Sequence, residues 1–187
     1  MARSVGIDRA RVVAVAAELA DAHGLEQLTL AQVAARLGVR LPSLYNHVEG
    51  LAGLRHELAL LGGRLLVEQL GRAAIGKAGD AAVIALGQAY RAFVLAHPGL
   101  YAGLVQAPAP EDEQLQQISR ATIDVVLAVL EPYGLDEASA IHAVRGLRSI
   151  AHGFATLELA GGFGMALDRD ESFLRLLRAY AAGLRSS

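Results

Sequence analysis

Four polar side chains that donate or accept hydrogen bonds stand close together near position 45 of this 187-residue sequence. They are Ser43, Tyr45, Asn46 and His47. Hydroxyl, amide and imidazole groups of this size suit phosphate oxygens and base edges, whereas a surface that meets only water favours glutamate and lysine. At helical spacing Leu44 and Val48 turn inward and leave the four polar groups facing out. The cluster is therefore a candidate surface for nucleic acid.

Two short helices joined by a tight turn are needed to position this cluster. Thr29 is placed to cap the first helix, with Gln32 reaching back from three residues further on. Gly38 ends that helix, because the residue after a helix often needs a positive φ. Pro42 then lies in the first turn of the second helix, where an amide has no helical partner anyway. The pattern outlines a helix-turn-helix, although an ordinary helical hairpin with a glycine corner has the same outline.

Catalytic and metal chemistry find little support in the sequence. The six histidines are scattered, no HExxH or GxSxG motif is present, and the chain has no cysteine. His142 and His152 would stand about 80° apart on one helix, which does not suit a shared metal ion. We therefore expect no enzyme, no catalytic residue, no metal site and no cofactor.

Composition favours a helical cytoplasmic protein. The chain is 53% hydrophobic with a formal net charge of −2. No apolar run is long enough to span a bilayer, and the first residues lack the apolar region of a signal peptide. No stretch alternates with period two, so we predict an all-α fold without a sheet.

Helical periods and caps predict the order of the elements along the chain. The predicted helices cover residues 9–22, 51–72, 81–97, 100–106, 112–130, 137–159 and 170–184, in addition to the helix-turn-helix. The Gly62-Gly63 pair marks either a bend or a close helix crossing. Asp8, Asp80 and Asp136 are predicted N-caps.

The segment LGVRLPSLYNHVEGLAGLRHELA, residues 37–59, resembles the DNA-binding end of the TetR (tetracycline-repressor) family of bacterial transcription regulators. This resemblance covers residues 8–60. Further on, YRAFVLAHPGLY at 90–101 is similar to a segment of the family's ligand-binding domain. The His152-Gly153 pair resembles a subtype whose C-terminal domain is marked by Trp-His-Gly.

The resemblance implies about nine helices, with a three-helix DNA-binding domain at 1–50 and a ligand-binding and dimerisation domain at 51–187. It also implies a homodimer that represses transcription and leaves a palindromic operator in double-stranded DNA when an unknown small molecule binds. The residues expected to contact or attract DNA are Thr29, Arg40, Pro42, Ser43, Tyr45, Asn46 and His47. Those on helices that would enclose the ligand are Tyr90, Phe93, His97, Tyr101, Leu104, Ile123, Leu127 and His152. Each of the latter is also a plausible core residue.

Two departures from the family bear on DNA affinity. Leu51 occupies the place of a lysine that grips a phosphate, and Glu49 stands where a basic or neutral residue is common. Residues 1–60 hold six arginines and six acidic residues, so Arg3, Arg9, Arg11 and Arg40 must supply the attraction. An alternative function is therefore a helical ligand-binding or oligomerisation module whose DNA binding is weakened.

The last two helices are predicted to form the dimer seam, because their apolar and small residues recur at helical spacing. The seam residues are Ala143, Gly146, Leu147, Ile150, Phe154, Phe173, Leu176, Leu177 and Tyr180. A polar stripe is predicted along the penultimate helix. It has three alternative interpretations: a solvated face, a polar part of the seam, or the floor of a pocket. The stripe consists of His142, Arg145, Ser149, His152 and Thr156.

Overall fold

The computed structural model describes residues 7–185, and within that range every regular element is helical. The eight α-helices are α1 (Arg9–His23), α2 (Leu30–Leu37), α3 (Gly50–Ala74), α4 (Gly79–Ala96), α5 (Pro98–Ala102), α6 (Glu113–Leu130), α7 (Glu137–Leu159) and α8 (Arg169–Leu184). Three short 3₁₀-helices lie at Leu25–Gln27, Leu41–Asn46 and Glu131–Tyr133. The all-α prediction is confirmed. Among residues 7–185, no helix is both long and apolar enough to cross a membrane.

The chain divides into two compact units. The first unit holds the residues up to Gly63 together with His97–Ala109, and the second holds Arg64–Ala96 together with the residues from Pro110 onward. The long helix α3 therefore contributes its first half to one unit and its second half to the other. The functional boundary at residue 50 stays a prediction, because these units are defined by packing.

The first unit is built around α1, which packs against α2 and α5. Asp8 caps α1, as predicted, by accepting a hydrogen bond from the Arg11 amide at 2.8 Å. The interior combines Val12 and Ala16 of α1 with Leu54 of α3, all fully buried. Apolar side chains from two separate stretches of sequence thus contribute to the core, which helps a module of this size to reach a stable fold.

Gly62 lies inside the continuous helix α3 at a close crossing with α5, which is one of the two alternatives predicted for the glycine pair. A Cβ at Gly62 would lie 3.1 Å from Leu100 Cβ and 3.2 Å from the Leu100 carbonyl oxygen. Glycine at this position lets the backbone of α3 approach α5 more closely than a larger residue allows.

The second unit is centred on α4, which packs against α6, α7 and α8. Phe93 of α4 and Phe173 of α8 are among its largest fully buried side chains. Gly87 brings α4 and α8 together, since a Cβ there would lie 2.4 Å from a methyl carbon of Leu177. Asp136 caps α7 as predicted, accepting from the Ser139 amide at 2.7 Å.

Asp80 is not the N-cap that the sequence predicts, because α4 already begins at Gly79. Its carboxylate instead accepts hydrogen bonds from the Tyr133 hydroxyl at 2.8 Å and from Arg185. The Arg185 guanidinium, followed by the Tyr133 hydroxyl, holds the pKa of Asp80 below its usual value. Asp80 therefore ties the start of α4 to the end of α8.

Candidate functional site

The stretch Leu41–Asn46, named here the recognition segment, is positioned by the end of α2. Gly38 adopts φ 69°, and the amide of Val39 donates to the carbonyl of Ala34 at 3.0 Å. With the amide of Gly38 bonded to Ala35, this is a Schellman turn, which needs a left-handed residue and hence favours glycine. The predicted turn chemistry at Gly38 is confirmed.

The recognition segment is a 3₁₀-helix, which is tighter than the regular helix that the sequence suggests. Its bonds join residues three apart, such as the Ser43 amide to the Arg40 carbonyl at 2.9 Å. Leu44 is fully buried and Val48 is 5% exposed, so two apolar side chains anchor the segment on the first unit.

The polar residues of the recognition segment and its flanks face outward to different degrees. Tyr45 is 59% exposed. Arg40, Pro42 and Asn46 are also exposed, while Ser43 and His47 are half-buried. The structure thus places all six predicted positions from 40 to 47 on one short segment, with side chains that an approaching duplex can touch.

Thr29 forms the predicted capping box at the start of α2. Its hydroxyl accepts from the Gln32 amide at 3.3 Å, while its own amide donates to Gln32 Oε1 at 2.8 Å. The Thr29 side chain is exposed and also donates to Gln32 Oε1 at 2.9 Å. A phosphate contact by Thr29 would therefore exchange a hydrogen bond within the capping box for one to DNA.

The four arginines expected to attract DNA are not all equally available. Arg9 forms an ion pair with Glu57 of α3, which removes it from the set expected to attract DNA. Arg11 and Arg40 are exposed, and Arg3 lies outside the described residues. Leu51 is half-buried near the start of α3, two residues after the exposed Glu49. Of the four arginines expected to attract phosphate, the structure therefore shows two, Arg11 and Arg40, as exposed side chains for which no ion pair is described.

The residues predicted to line a ligand pocket are divided between the two units. The second unit contains Tyr90, Phe93, Ile123, Leu127 and His152, and the first contains His97, Tyr101 and Leu104. Tyr90, Phe93 and Tyr101 are buried side chains of their units, and the others are half-buried. His97 Nδ1 lies 3.0 Å from Asp21 Oδ2, so this imidazole has a partner in α1. Ligand binding by these eight residues stays a prediction.

The residues predicted for the dimer seam differ sharply in burial within the single chain. Ala143, Leu147, Phe173 and Leu177 are at most 6% exposed. Gly146, Ile150, Phe154 and Tyr180 are half-buried, and Leu176 is 40% exposed. A Cβ at Gly146 would lie 3.0 Å from a ring carbon of Tyr180, so a bulky residue there would first disturb the α7–α8 contact within one chain.

The polar stripe of α7 faces largely outward. His142, Arg145 and Ser149 are exposed, while His152 and Thr156 are half-buried. Thr156 donates its hydroxyl hydrogen to the His152 carbonyl at 2.7 Å, an interaction within α7. This placement favours a solvated face or a polar part of a seam over the floor of a pocket.

One charged cluster in the second unit is absent from the sequence-based predictions. Arg91 of α4 is 12% exposed and donates to Glu158 at 2.7 and 2.9 Å and to Asp170 at 2.7 Å. Its guanidinium also lies 5.3 Å from the ring centroids of both Phe154 and Phe173. The hydrogen bonds to Glu158 raise the pKa of Arg91. The sequence could have predicted this cluster from Arg91 alone, because it is the one charged residue in the largely apolar stretch 82–96 and therefore needs a partner.

Comparison with known proteins finds one family that matches the C-terminal part of the chain and relatives that match nearly all of it. Residues 83–180 match the family described as "Tetracyclin repressor-like, C-terminal domain". The chain is 36% identical over 186 residues to the HTH-type transcriptional regulator YobS of Bacillus subtilis, covering 98% of this chain and 96% of the relative.

Solved structures of similar proteins share the fold along nearly the whole chain. A protein from Rhodococcus sp. RHA1 superimposes with a TM-score of 0.82 at 26% identity, covering 97% of each chain. The TetR-Q116A protein of Acinetobacter baumannii in complex with minocycline has a TM-score of 0.71 at 23% identity, covering 97% of this chain and all (100%) of that one. Together with the helix-turn-helix at 29–47, these similarities show that the chain belongs to the TetR family of DNA-binding transcriptional regulators.

Proposed function

We propose that this regulator is a cytoplasmic homodimer that represses transcription from a palindromic operator and is released by a small molecule. The observation that carries the proposal is the exposed polar face of the recognition segment, fixed in place by buried Leu44 and Val48. One such segment reads only a few base pairs, so useful specificity requires two. Two-fold pairing would set the two segments about 34–36 Å apart, one turn of DNA.

Within this proposal the contacts divide between phosphates and bases. Tyr45, His47, Thr29 and Arg40 bind phosphate oxygens, which positions the segment but carries no sequence information. Ser43 and Asn46 contact base edges, since an amide can pair with adenine through two hydrogen bonds. Pro42 packs against the duplex without a polar contact.

The dimer seam is proposed on the outer sides of α7 and α8. Ser149 and Gly153 of α7 and Leu176 and Gly183 of α8 recur at helical spacing on these sides. Among residues 7–185, and apart from the backbone of the same helix, no atom lies within 4 Å of the Cβ that a substitution at Gly153 or Gly183 would add, which leaves space beside both glycines. The predicted seam residues that are already buried would support this surface from behind.

The effector is proposed to be a small molecule that binds the second unit. The Acinetobacter baumannii protein of similar fold is in complex with minocycline, which supports small-molecule binding by this chain as well. A ligand can release DNA only if it binds the low-affinity conformation more tightly than the DNA-bound one. The predicted pocket residues Tyr90, Phe93, Ile123 and Leu127 are the first positions to vary when an effector is sought.

The proposed division of contacts can be tested on an operator selected from random duplexes by the wild-type protein. The variant Asn46→Ala should lose about 1–3 kcal/mol of discrimination at one base pair in each half-site. Tyr45→Phe should instead weaken binding to every duplex by a similar factor, because it removes a phosphate contact. Mismatch penalties are measured at each position by competition binding.

Two outcomes would overturn parts of this proposal. If Asn46→Ala leaves every mismatch penalty unchanged, Asn46 does not read a base. If selection yields no duplex that the wild-type protein prefers, the alternative of a helical module with weakened DNA binding is favoured. The specific observation behind that alternative is the presence of Glu49 and Leu51 where the family has a basic or neutral residue and a lysine.

A further inference from the structure

A single carboxylate of α1 holds the first turn of α5, a helix that lies beyond the predicted DNA-binding domain. Asp21 Oδ1 accepts from the amides of Gly99 at 2.9 Å and Leu100 at 3.0 Å. Asp21 Oδ2 lies 3.0 Å from His97 Nδ1. All four residues belong to the first unit, and the Asp21 side chain is 20% exposed. Three polar contacts to one half-buried carboxylate make a specific attachment.

The backbone of α5 also fits closely against α1. A Cβ at Gly99 would lie 2.2 Å from the carbonyl carbon and oxygen of Ala20, which no real side chain tolerates. Gly99 has an ordinary negative φ, so the requirement for glycine comes from contact with α1 and not from backbone strain. The sequence Ala20-Asp21 thus provides both the surface and the hydrogen-bond acceptor for α5.

Helix α5 completes the core on which the recognition segment depends. Leu100 and Tyr101 are 2% and 3% exposed. Leu100 meets α3 at Gly62, and Gly103 meets α3 at Ala59, so α5 contacts both α1 and α3. Helix α1 in turn packs on α2, and α2 packs on the recognition segment. The contacts therefore run from Asp21 to the recognition segment without leaving the first unit.

We propose that Asp21 is a positioning residue for operator binding: by holding α5 on α1, it fixes the arrangement of the helices that carry the recognition segment. Asp21 itself does not touch DNA in this proposal. The helix-turn-helix is then supported by residues 97–103, which follow it in the chain after two full helices, α3 and α4. The inference rests on the operator binding proposed above.

Two variants break the same attachment in different ways. Asp21→Ala removes all three polar contacts of the carboxylate. Gly99→Ala keeps the carboxylate but forces α5 away from the Ala20 backbone. The matched controls are Glu18→Ala, which removes another carboxylate from α1, and Gly71→Ala, at a glycine in the second half of α3 that has open space for a Cβ. Glu18 lies 4.0 Å from Arg36 on an exposed surface.

Two measurements on the full-length chain test the proposal. Amide hydrogen exchange at Gly99 and Leu100 should speed up at least about tenfold in Asp21→Ala, because the two bonds that protect these amides are gone. The operator Kd, measured with the selected duplex well below the melting temperature, should rise about tenfold in both variants and less than twofold in both controls. Circular dichroism checks that each variant is folded. Titration with excess operator measures the fraction of each variant that can bind DNA.

A purely structural role for Asp21 would change the melting temperature and the amide exchange but leave the operator Kd of the folded protein unchanged. That result would overturn the proposal, as would unchanged exchange at Gly99 and Leu100. A variant that does not fold is replaced by the other, since either one alone tests the attachment. If the wild-type protein binds no selected duplex, operator binding fails while the exchange measurement still reports on the attachment itself.

Discussion

Leu176 and Leu177 are neighbours on α8 with opposite environments, and the same substitution should therefore have different effects at the two positions. Leu177 is fully buried against α4, where it contacts Gly87. Leu176 is 40% exposed and lies on the outer side of α8 that we propose for the seam. We expect Leu177→Ala to lower the free energy of unfolding and Leu176→Ala to weaken dimerisation.

The magnitudes follow from burial. Truncating a fully buried leucine to alanine costs about 2–5 kcal/mol, the range set by how far the surroundings collapse. Complete burial of a leucine contributes about 1.5–3 kcal/mol, so covering the remaining 40% of Leu176 would contribute about 1 kcal/mol per protomer. A two-fold seam contains the residue twice, which gives about 2 kcal/mol and a rise of about thirtyfold in the dimer Kd.

Urea unfolding and sedimentation equilibrium separate the two effects. Unfolding is measured at one fixed protein concentration, because the stability of a dimer depends on concentration. Leu177→Ala should move the urea midpoint strongly, whereas Leu176→Ala should move it much less and shift the monomer–dimer equilibrium instead. A wild-type dimer Kd for Leu176→Ala would refute the proposed seam. A wild-type urea midpoint for Leu177→Ala would refute its assignment to the core of the second unit.

Two further predictions concern charge. Leu51→Lys should tighten binding to any duplex and steepen the dependence of log Kd on log salt by about one unit, because it adds one phosphate contact near the start of α3. A salt titration that matches the wild type would show that this position does not reach DNA. Lowering the pH should destabilise the fold below about pH 4, since Asp80 and Asp136 have pKa values below their usual 3.8 in the folded chain. Their contribution is complete above the unfolded pKa and is lost as the pH falls through the folded pKa. Asp80→Asn should flatten part of that acid slope in urea unfolding, and an unchanged slope would contradict the role of Arg185 in lowering the pKa of Asp80.

The sequence alone determined the local features of the DNA-binding end. The capping box at Thr29, the left-handed turn at Gly38 and the inward side chain of Leu44 involve residues within a few positions of each other. Such features depend on backbone geometry and short-range hydrogen bonds, which the order of residue types already specifies. The helix caps at Asp8 and Asp136 were predictable for the same reason.

Contacts between distant segments were decided only by the tertiary structure. Asp80 has the sequence context of a helix cap, yet it bonds Tyr133 and Arg185 because these residues come together at one end of the second unit. Asp21 and His97 show no shared pattern, although their side chains meet across 76 positions of sequence.

Helical periodicity also cannot tell which apolar stripe faces the chain's own core and which remains for a partner. Leu176 and Leu177 both fit the pattern of a buried helix face, and only the packing of α4 against α8 separates them. Periodicity fixes the direction of a side chain around its own helix axis, whereas burial depends on which other helix lies in that direction.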